Sequence, residues 1–539
     1  MAPVKTTSNF RPISLAQVST VALHGVQATV VKVEANIGPG LPGIHMVGLV
    51  DAAVRESRER IRTAALNNQV PWPKTKIVIS LSPGGLPKSG AHFDLAIIMA
   101  IQAALLKNSE VQARLAETMI IGEICLDGRI RPVPGVLAAL AAAKETGIKT
   151  VLIPAENARE ASLVSDGEVF AVSHLREAYD WLSIAAPLLR VEEVAALAAS
   201  ELADSAHQER SQGSYIRPDS LAELDFCDIA GQEEARWAAE VAAAGGHHFM
   251  MIGPPGSGKS MIAARLPSIL PPLTPAQVIA TTTVHSLGSS IYEPVTIAPF
   301  IAPHHSITRA GLIGGGGNPR PGAISLAHHG VLFLDEVSEI PARILDCLRT
   351  PLEMGQVRLQ RAQREIVFPA AFQLVIAANP CRCAAEQPQD CRCLSAQRQS
   401  YLANLSGPLR DRIDIVVRTQ GKGATIKTAG AESSAIIAER VLCARERAQH
   451  RWAKAGIEAV VNAQVSTVQI RRNFSAEESA MALLEAYLAQ GLLTQRGVDR
   501  SLKLAWTIAD LAGASHPSLE HVGATLELRE PIGEVMRVG

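Results

Sequence analysis

The stretch HFMMIGPPGSGKSMIAARL, residues 248–266, joins an apolar run, a glycine loop and a helical run without a break. Its centre, GPPGSGKS, fits the pattern Gly, any four residues, Gly, Lys, Ser. That order predicts a buried strand, a phosphate-cradling loop and a helix. Glycines let backbone N–H groups converge on phosphate oxygens, and the N-terminus of the following helix adds partial positive charge. The cradle is Gly253, Pro254, Pro255, Gly256, Ser257 and Gly258. Lys259 is placed to reach the β and γ phosphates of ATP, and Ser260 to hold Mg²⁺.

Hydrolysis needs further parts, and they follow downstream. GVLFLDEVSE puts Asp335 and Glu336 at the end of an apolar strand. Asp335 is the expected metal-side acid and Glu336 the expected general base for the attacking water. Alone, such a pair is often only a solvated strand end. A third strand, FQLVIAANP, ends in Asn379, which either orients that water or forms a turn before Pro380. Arg410 and Arg412 precede another apolar run in SGPLRDRIDIVV. Arg496 and Arg500 stand near the start of a helical run in TQRGVDRSLKLAWTIADL. A ring-forming ATPase lends such an arginine to its neighbour's γ-phosphate, whereas an arginine taken alone more often makes a surface salt bridge.

The rest of the chain sets bounds. Its 539 residues allow roughly two to four domains. A formal net charge of −1 means that any nucleic-acid contact must come from local basic patches. FDLAIIMAIQAALL is the nearest approach to a membrane span; it is too short and reads as a buried helix. The N-terminus, MAPVKTTSNF, has no signal-peptide core, so a cytoplasmic protein is expected. Residues 1–182 alternate strand-like and helical runs, residues 183–222 and 419–433 read as linkers, 223–418 hold the nucleotide chemistry, and 434–539 have helical period.

GLPGIHMVGLVDAAVRESRERIRTAALNN, GPPGSGKS, APHHSITRAGLIGGGGNPRPGAISLAHHGVLFLDE and RTPLEMGQVRLQRAQREIVFPAAFQLVIAANPCRC together resemble the ComM/YifB family of magnesium-chelatase-like AAA+ ATPases. The likeness runs over nearly the whole chain. It implies a multi-domain α/β architecture: an N-terminal Lon-protease-like (ribosomal protein S5 domain 2-like) α/β domain, a central AAA+ P-loop α/β/α domain and a C-terminal helical lid. It also implies a homo-oligomeric, hexameric ring that uses ATP and Mg²⁺ to drive helicase-type branch migration of DNA in natural transformation or recombination. Carried over, Lys259 and Ser260 are Walker A, Asp335 and Glu336 Walker B, Asn379 sensor 1, Arg412 the arginine finger and Arg496 the sensor 2 arginine. Ile229 and Ala230, in DIAGQEEARWAAEVAAAGGHH, fall where the family packs around adenine. The chain departs from the family's usual residues at Ala323, Arg410 and Trp506; none of these removes a core hydrolysis residue, and Ala323 and Trp506 bear on pore-loop or lid coupling.

GEICLDGRIRPVPGV and LPKSGAHFDLAII resemble the proteolytic domain of Lon. Lon-type proteolysis uses a serine activated by a lysine. His92 stands at the serine's place and Leu137 at the lysine's, and the adjacent Lys88 and Ser89 make a poor dyad. A non-proteolytic scaffold or DNA-facing module is expected.

Two clusters remain. His304, His305, Arg309, Arg320, His328 and His329 interleave with GGGG, and Arg358, Arg361 and Arg364 alternate along a hairpin-like run. Both either grip a DNA backbone without reading its sequence or solvate an exposed face. Four of the eight cysteines crowd into NPCRCAAEQPQDCRCLS: Cys381, Cys383, Cys391 and Cys393. Two close pairs fit a structural Zn²⁺ site; free thiols, a redox role or an iron–sulfur role are the other readings. Cys125, Cys227, Cys347 and Cys443 are scattered and expected in the core. A chelatase-type motor and a protein-remodelling ATPase are the rival functions.

Overall fold

The computed structural model describes residues 14–164, 167–204, 215–216, 224–288, 292–316, 319–361, 364–383, 385, 391–394, 404–420 and 431–529. They fall into two compact units. One takes residues 1–210 with 278–295 and 317–320, and the other takes 211–277, 296–316 and 321–539.

The first unit is built on β1 (Leu15–His24) and β2 (Gln27–Gly38), an antiparallel hairpin. Along β2 the buried Val31, Val33 and Ala35 alternate with Lys32 and Glu34, the two-residue period of a strand with one face packed. Adding β3 (Gly43–Val47), β4 (Lys76–Ser82), β5 (Thr118–Ile120), β6 (Thr150–Pro154) and β7 (Glu168–Val172) gives the sheet order β3-β4-β2-β1-β5-β6-β7. Helix α1 (Ala52–Asn67) starts at Asp51, whose side chain accepts from the Val54 amide. Helix α2 (Asp94–Leu106) buries every residue from Asp94 to Ala104, so the longest apolar run is a core helix as expected. Among the described residues, no helix is long and apolar enough to cross a membrane.

His92 is buried, with a ring nitrogen 2.9 Å from the Val21 carbonyl, and Leu137 is buried in helix α3 (Val136–Glu145). Lys88 Nζ donates to the Pro83 carbonyl, and burial lowers its pKa. Residues 183–222, expected as a linker, contain helix α4 (Val191–Asp204), with Val191 in the core of the first unit. Its composition, VEEVAALAASELAD, is helix-forming as well as polar. Residues 278–295, expected in the nucleotide core, group with the first unit instead.

The second unit centres on β8 (Phe249–Ile252), all four residues of which are buried. With β9 (Phe300–Ile301), β10 (Val331–Leu334), β13 (Gln373–Ala378) and β14 (Ile415–Arg418) it forms a parallel sheet in the order β9-β10-β13-β8-β14. Tyr215–Ile216 adds an antiparallel edge to β9. Continuous apolar strands such as VLFL are what a sheet covered on both faces requires. The hairpin read from alternation forms between β11 (Gln356–Arg361) and β12 (Arg364–Pro369), with Arg361 opposite Arg364. Helix α5 (Glu233–Gly245) packs before β8, and helix α6 (Lys259–Arg265) follows the glycine loop. The C-terminal part is helical: α7 (Ser434–Lys454), α8 (Gln495–Ala512) and α9 (Leu519–Glu527). Trp506 is a core residue there. Its ring meets Trp452 and Phe474 edge-on, and its indole N–H donates to the Phe474 carbonyl at 2.9 Å.

One buried acid gives the first unit a pH dependence. Glu160 accepts from the Asn157 amide at 2.6 Å, yet burial pushes its pKa up to about 7. A carboxyl raised on folding contributes stability that is complete below the unfolded value and lost as pH rises through the folded one. Glu160→Gln cannot ionise. Relative to the parent, its unfolding free energy should rise by roughly 2–3 kcal/mol between pH 5 and pH 8. Denaturant unfolding at both pH values measures this; an unchanged difference would contradict it.

Candidate nucleotide-hydrolysis site

The glycine loop leaves the carboxyl end of β8 and enters helix α6 at Lys259. Gly258, at φ 84°, occupies the left-handed region that turns the chain into the helix. Gly253 is required for a different reason: a Cβ there would lie 2.0 Å from Thr419 Oγ1 and 2.5 Å from its carbonyl oxygen. Thr419 also meets Ser257, hydroxyl to hydroxyl, at 2.6 Å. The residue just past β14 therefore braces the loop from outside.

Lys259 Nζ donates to the carbonyls of Gly253 (2.7 Å) and Pro254 (2.8 Å) and to Asn379 Oδ1 (3.2 Å). Burial lowers its pKa, against the pull of Asp335. Ser260 Oγ donates to Asp335 Oδ2 at 2.7 Å, so the two oxygens expected around Mg²⁺ are already neighbours. Asp335 Oδ1 accepts from the Glu336 amide at 2.8 Å. Glu336 itself has φ 46°, a left-handed backbone that costs a non-glycine residue about 1–3 kcal/mol. Its carboxylate is half exposed and lies 3.1 Å from His305 Nδ1. The sheet order explains the assembly. β13 lies between β10 and β8, so Asn379, Asp335–Glu336 and the glycine loop all leave the same carboxyl edge.

The arginines are elsewhere. Arg412 lies three residues before β14, on the amino edge of the parallel sheet, and pairs with Glu353. Arg496 pairs with Asp411 at 3.0 Å and Arg500 with Asp414 at 3.3 Å. All three line a cavity of about 510 Å³ with His248, Arg471 and Lys503, and no glycine-loop residue is among its walls. Burial works to raise the pKa of Asp414, but the His247 ring and Arg500 outweigh it and hold the carboxylate well below the usual range. Burial pushes His248 down to about 4. Its Nδ1 accepts from the Leu374 amide at 3.1 Å, as a neutral ring must. Arg410 ends the short helix Gly407–Arg410.

Other expectations fare unevenly. Ile229 is packed in the core beside Phe226, and Ala230 is part-exposed. His304, Arg309 and Arg320 are exposed and His305 is part-exposed. His328 is buried, its Nδ1 accepting from the Ala371 amide at 3.1 Å, which removes it from a DNA-facing set. His329 is part-exposed and stacks on it at 3.8 Å. Arg358 stands 3.5 Å from Glu365 across the hairpin, and the side chains of Arg361 and Arg364 lie outside the described residues. The sulfurs of Cys381, Cys383, Cys391 and Cys393 converge and fit a structural metal. The four scattered cysteines are not core: Cys443 is exposed, and Cys125, Cys227 and Cys347 are part-exposed. Two residues escaped the sequence reading. Thr419 carries no motif, and nothing in the sequence pairs His305 with Glu336.

A glycine loop, a hydrogen-bonded serine–aspartate pair, a strand-end glutamate and a strand-end asparagine on a parallel sheet are the arrangement of a nucleotide-binding domain of AAA+ type. The comparisons narrow it. Residues 225–426 match the family described as magnesium chelatase, subunit ChlI; residues 33–157 match subunit ChlI of Mg-chelatase; and 431–529 match the ChlI C-terminal region. An uncharacterised protein of Mycobacterium tuberculosis is 44% identical over 523 residues, covering 96% of this chain and 99% of its own. YifB of Escherichia coli is 36% identical over 523 residues, covering 96% and 97%. Competence protein ComM of Haemophilus influenzae is 36% identical over 524, covering 96% and 98%. A Lon protease of Methanosphaera stadtmanae is 30% identical over 149 residues, only 26% of this chain and 18% of its own. The chain belongs to the ComM/YifB family of magnesium-chelatase-like AAA+ proteins.

The contact at Gly253 is testable. Gly253→Ala should weaken binding of a fluorescent ATP analogue by about ten-fold or more, equivalent to ~1.4 kcal/mol. Adding Thr419→Ala should recover only part of that, because the Thr419 carbonyl stays 2.5 Å from the new methyl. Unchanged affinity in the single variant would contradict the tight packing.

Proposed function

We propose that this protein is a Mg²⁺-dependent ATPase working as a ring of identical subunits, hexameric by family likeness, that remodels branched DNA in the cytoplasm. The observation that carries the ring is the separation of the two charged sets. β8 and β14 run parallel in register, Phe249 opposite Ile415. Four residues at ~3.3 Å each put about 13 Å of strand between the glycine loop and the arginine edge. Arg412 and Arg496 are therefore badly placed for phosphates held by their own loop and well placed to serve an adjacent subunit. Glu336 takes the proton of the attacking water, Asn379 orients that water, and Lys259 with the neighbour's Arg412 balances charge developing on the γ-phosphate. Ser260 and Asp335 hold the Mg²⁺ that bridges phosphate oxygens.

DNA as the substrate rests on three supports: the name of the Haemophilus influenzae relative, which refers to competence; the exposed His304, Arg309 and Arg320; and the β11–β12 hairpin with its arginines. Backbone contacts of this kind give salt-dependent, sequence-independent binding. The buried His92 and Leu137 support a first unit without Lon-type proteolysis. His305 lies on the exposed segment and touches Glu336, so it is placed to hold the carboxylate until that segment engages DNA.

ATP hydrolysis measured without DNA and with single strand, duplex, fork and four-way junction tests the reading. Strong stimulation by branched DNA is expected, with Glu336→Gln inactive throughout. A rate indifferent to every DNA would favour the chelatase-type or protein-remodelling alternative. His305→Ala should raise the DNA-free rate several-fold and shrink the stimulation ratio; equal ratios in variant and parent would end its assigned role. Mixing Arg412→Ala subunits with Glu336→Gln subunits, each inactive alone, should restore hydrolysis at mixed interfaces. No recovery in assembled mixtures would count against the shared site.

A further inference from the structure

Cys381, Cys383, Cys391 and Cys393 place their sulfurs within 4.8 Å of one another. Among the described residues, no other group of three or more histidine, cysteine or acidic side chains is close enough to share a metal ion. Three of the separations are 3.2, 3.4 and 3.5 Å. A disulfide would need about 2.05 Å. Four thiolates around one Zn²⁺ at about 2.3 Å stand ~3.8 Å apart at tetrahedral angles, a spacing that the cluster brackets. The sequence adds a second, independent sign. Each pair is Cys-Arg-Cys, with Arg382 and Arg392 at the two middle positions. A zinc ion held by four thiolates carries a net charge of −2, and these two arginines supply +2 beside it.

We propose that the four cysteines bind one structural Zn²⁺, and that the ion sets the position of Asn379. Four protein sulfurs leave no open coordination site, as in structural rather than catalytic zinc centres. Cys381 is buried and lies two residues beyond Asn379, whose side-chain Oδ1 accepts a hydrogen bond from Lys259 Nζ. Beyond Cys393 the chain is pinned again, where Asn404 donates to the Ser338 carbonyl at 2.6 Å and the Ser406 hydroxyl to Asp346 at 2.7 Å. The metal ties the two ends of the 381–393 loop together between those anchors. Without it, the strand end carrying Asn379 loses its outer restraint. The positioning role rests on the hydrolytic reading of Asn379; the metal itself does not.

Full-length protein purified without chelator should contain about one zinc per chain by elemental analysis. A mercurial should release that zinc to a chromophoric chelator. Cobalt substitution should give thiolate charge-transfer bands and the ligand-field bands of a tetrahedral ion. Protein from zinc-supplemented growth with four freely titrating thiols and no zinc would overturn the site. So would iron with visible thiolate absorption, or a disulfide between these residues. Cys393→His, which keeps a zinc ligand, should retain metal, whereas Cys393→Ser should lose it readily. For the positioning role, zinc-stripped protein that still binds the ATP analogue should show a lower kcat with KM little changed, restored on reloading. A kcat unaffected by stripping would overturn that role and leave the metal content as an independent result.

Discussion

The parallel pairing of Phe249–Ile252 with strands on both sides is the constraint on which the rest of the second unit depends. Its register puts Ile252 opposite Ala378 on one flank and Arg418 on the other. The residues that follow each strand are then forced together. They are the glycine loop, Asn379 and Thr419, and all three touch: Lys259 to Asn379, Ser257 to Thr419. A one-residue slip would turn each strand's buried side chains to the opposite face and move the strand ends apart. The chemistry at the carboxyl edge is thus a consequence of backbone hydrogen bonding, not of a flexible loop finding its partners.

The opposite edge follows from the same register but is held by charge. Asp414 precedes β14 and gathers the His247 ring and Arg500 around one carboxylate. Burying that carboxylate would be costly unless it were paired. The pairing fixes the start of β14 and, with it, Arg412 two residues earlier. Arg500 comes from α8, which also carries Arg496, so one helix supplies the C-terminal arginines to the edge where Arg412 stands. The C-terminal helices meet the sheet through this charged contact as well as through an apolar one, where Ile437, Val441, Leu504 and Ile508 join the cluster around Phe249 and Val417.

Much of the site was legible because its backbone demands leave few alternatives. Glycine at 258 is called for by a positive φ, and apolar strands ending in Asp335–Glu336 and Asn379 announce where the sheet edge lies. The β11–β12 hairpin was legible from alternation. Thr419 was not, because a lone threonine at a strand end has no pattern; only the fold brings it to Gly253. His328 and His329 read alike in sequence, but the Ala371 amide claims the ring of the first and buries it. The scattered cysteines lie outside the core because the residue's general preference for the interior says nothing of its helix face, and Cys443 falls on the outward face of α7. Helix α4 was lost in a polar seam whose helix-forming residues were outweighed by its lack of a strong apolar stripe. The grouping of 278–295 with the first unit is a tertiary fact with no local signature.

Glu336 draws these threads together. It stands at a strand end fixed by the sheet, in a left-handed conformation that a glutamate adopts only when its surroundings impose it. Asp335 takes the amide of Glu336 and the hydroxyl of Ser260 on separate carboxylate oxygens, so the aspartate that meets Ser260 also shapes the backbone of Glu336. His305 then takes the Glu336 carboxylate from a segment reached through a different strand, β9. Glu336 is thereby linked through its amide and Asp335 to Ser260, and through its carboxylate to the segment that carries His305. The backbone of Glu336 is thus fixed by Asp335, while its carboxylate meets, among the described residues, only the His305 ring. The side chain can therefore leave His305 without disturbing the backbone that the sheet and Asp335 hold in place.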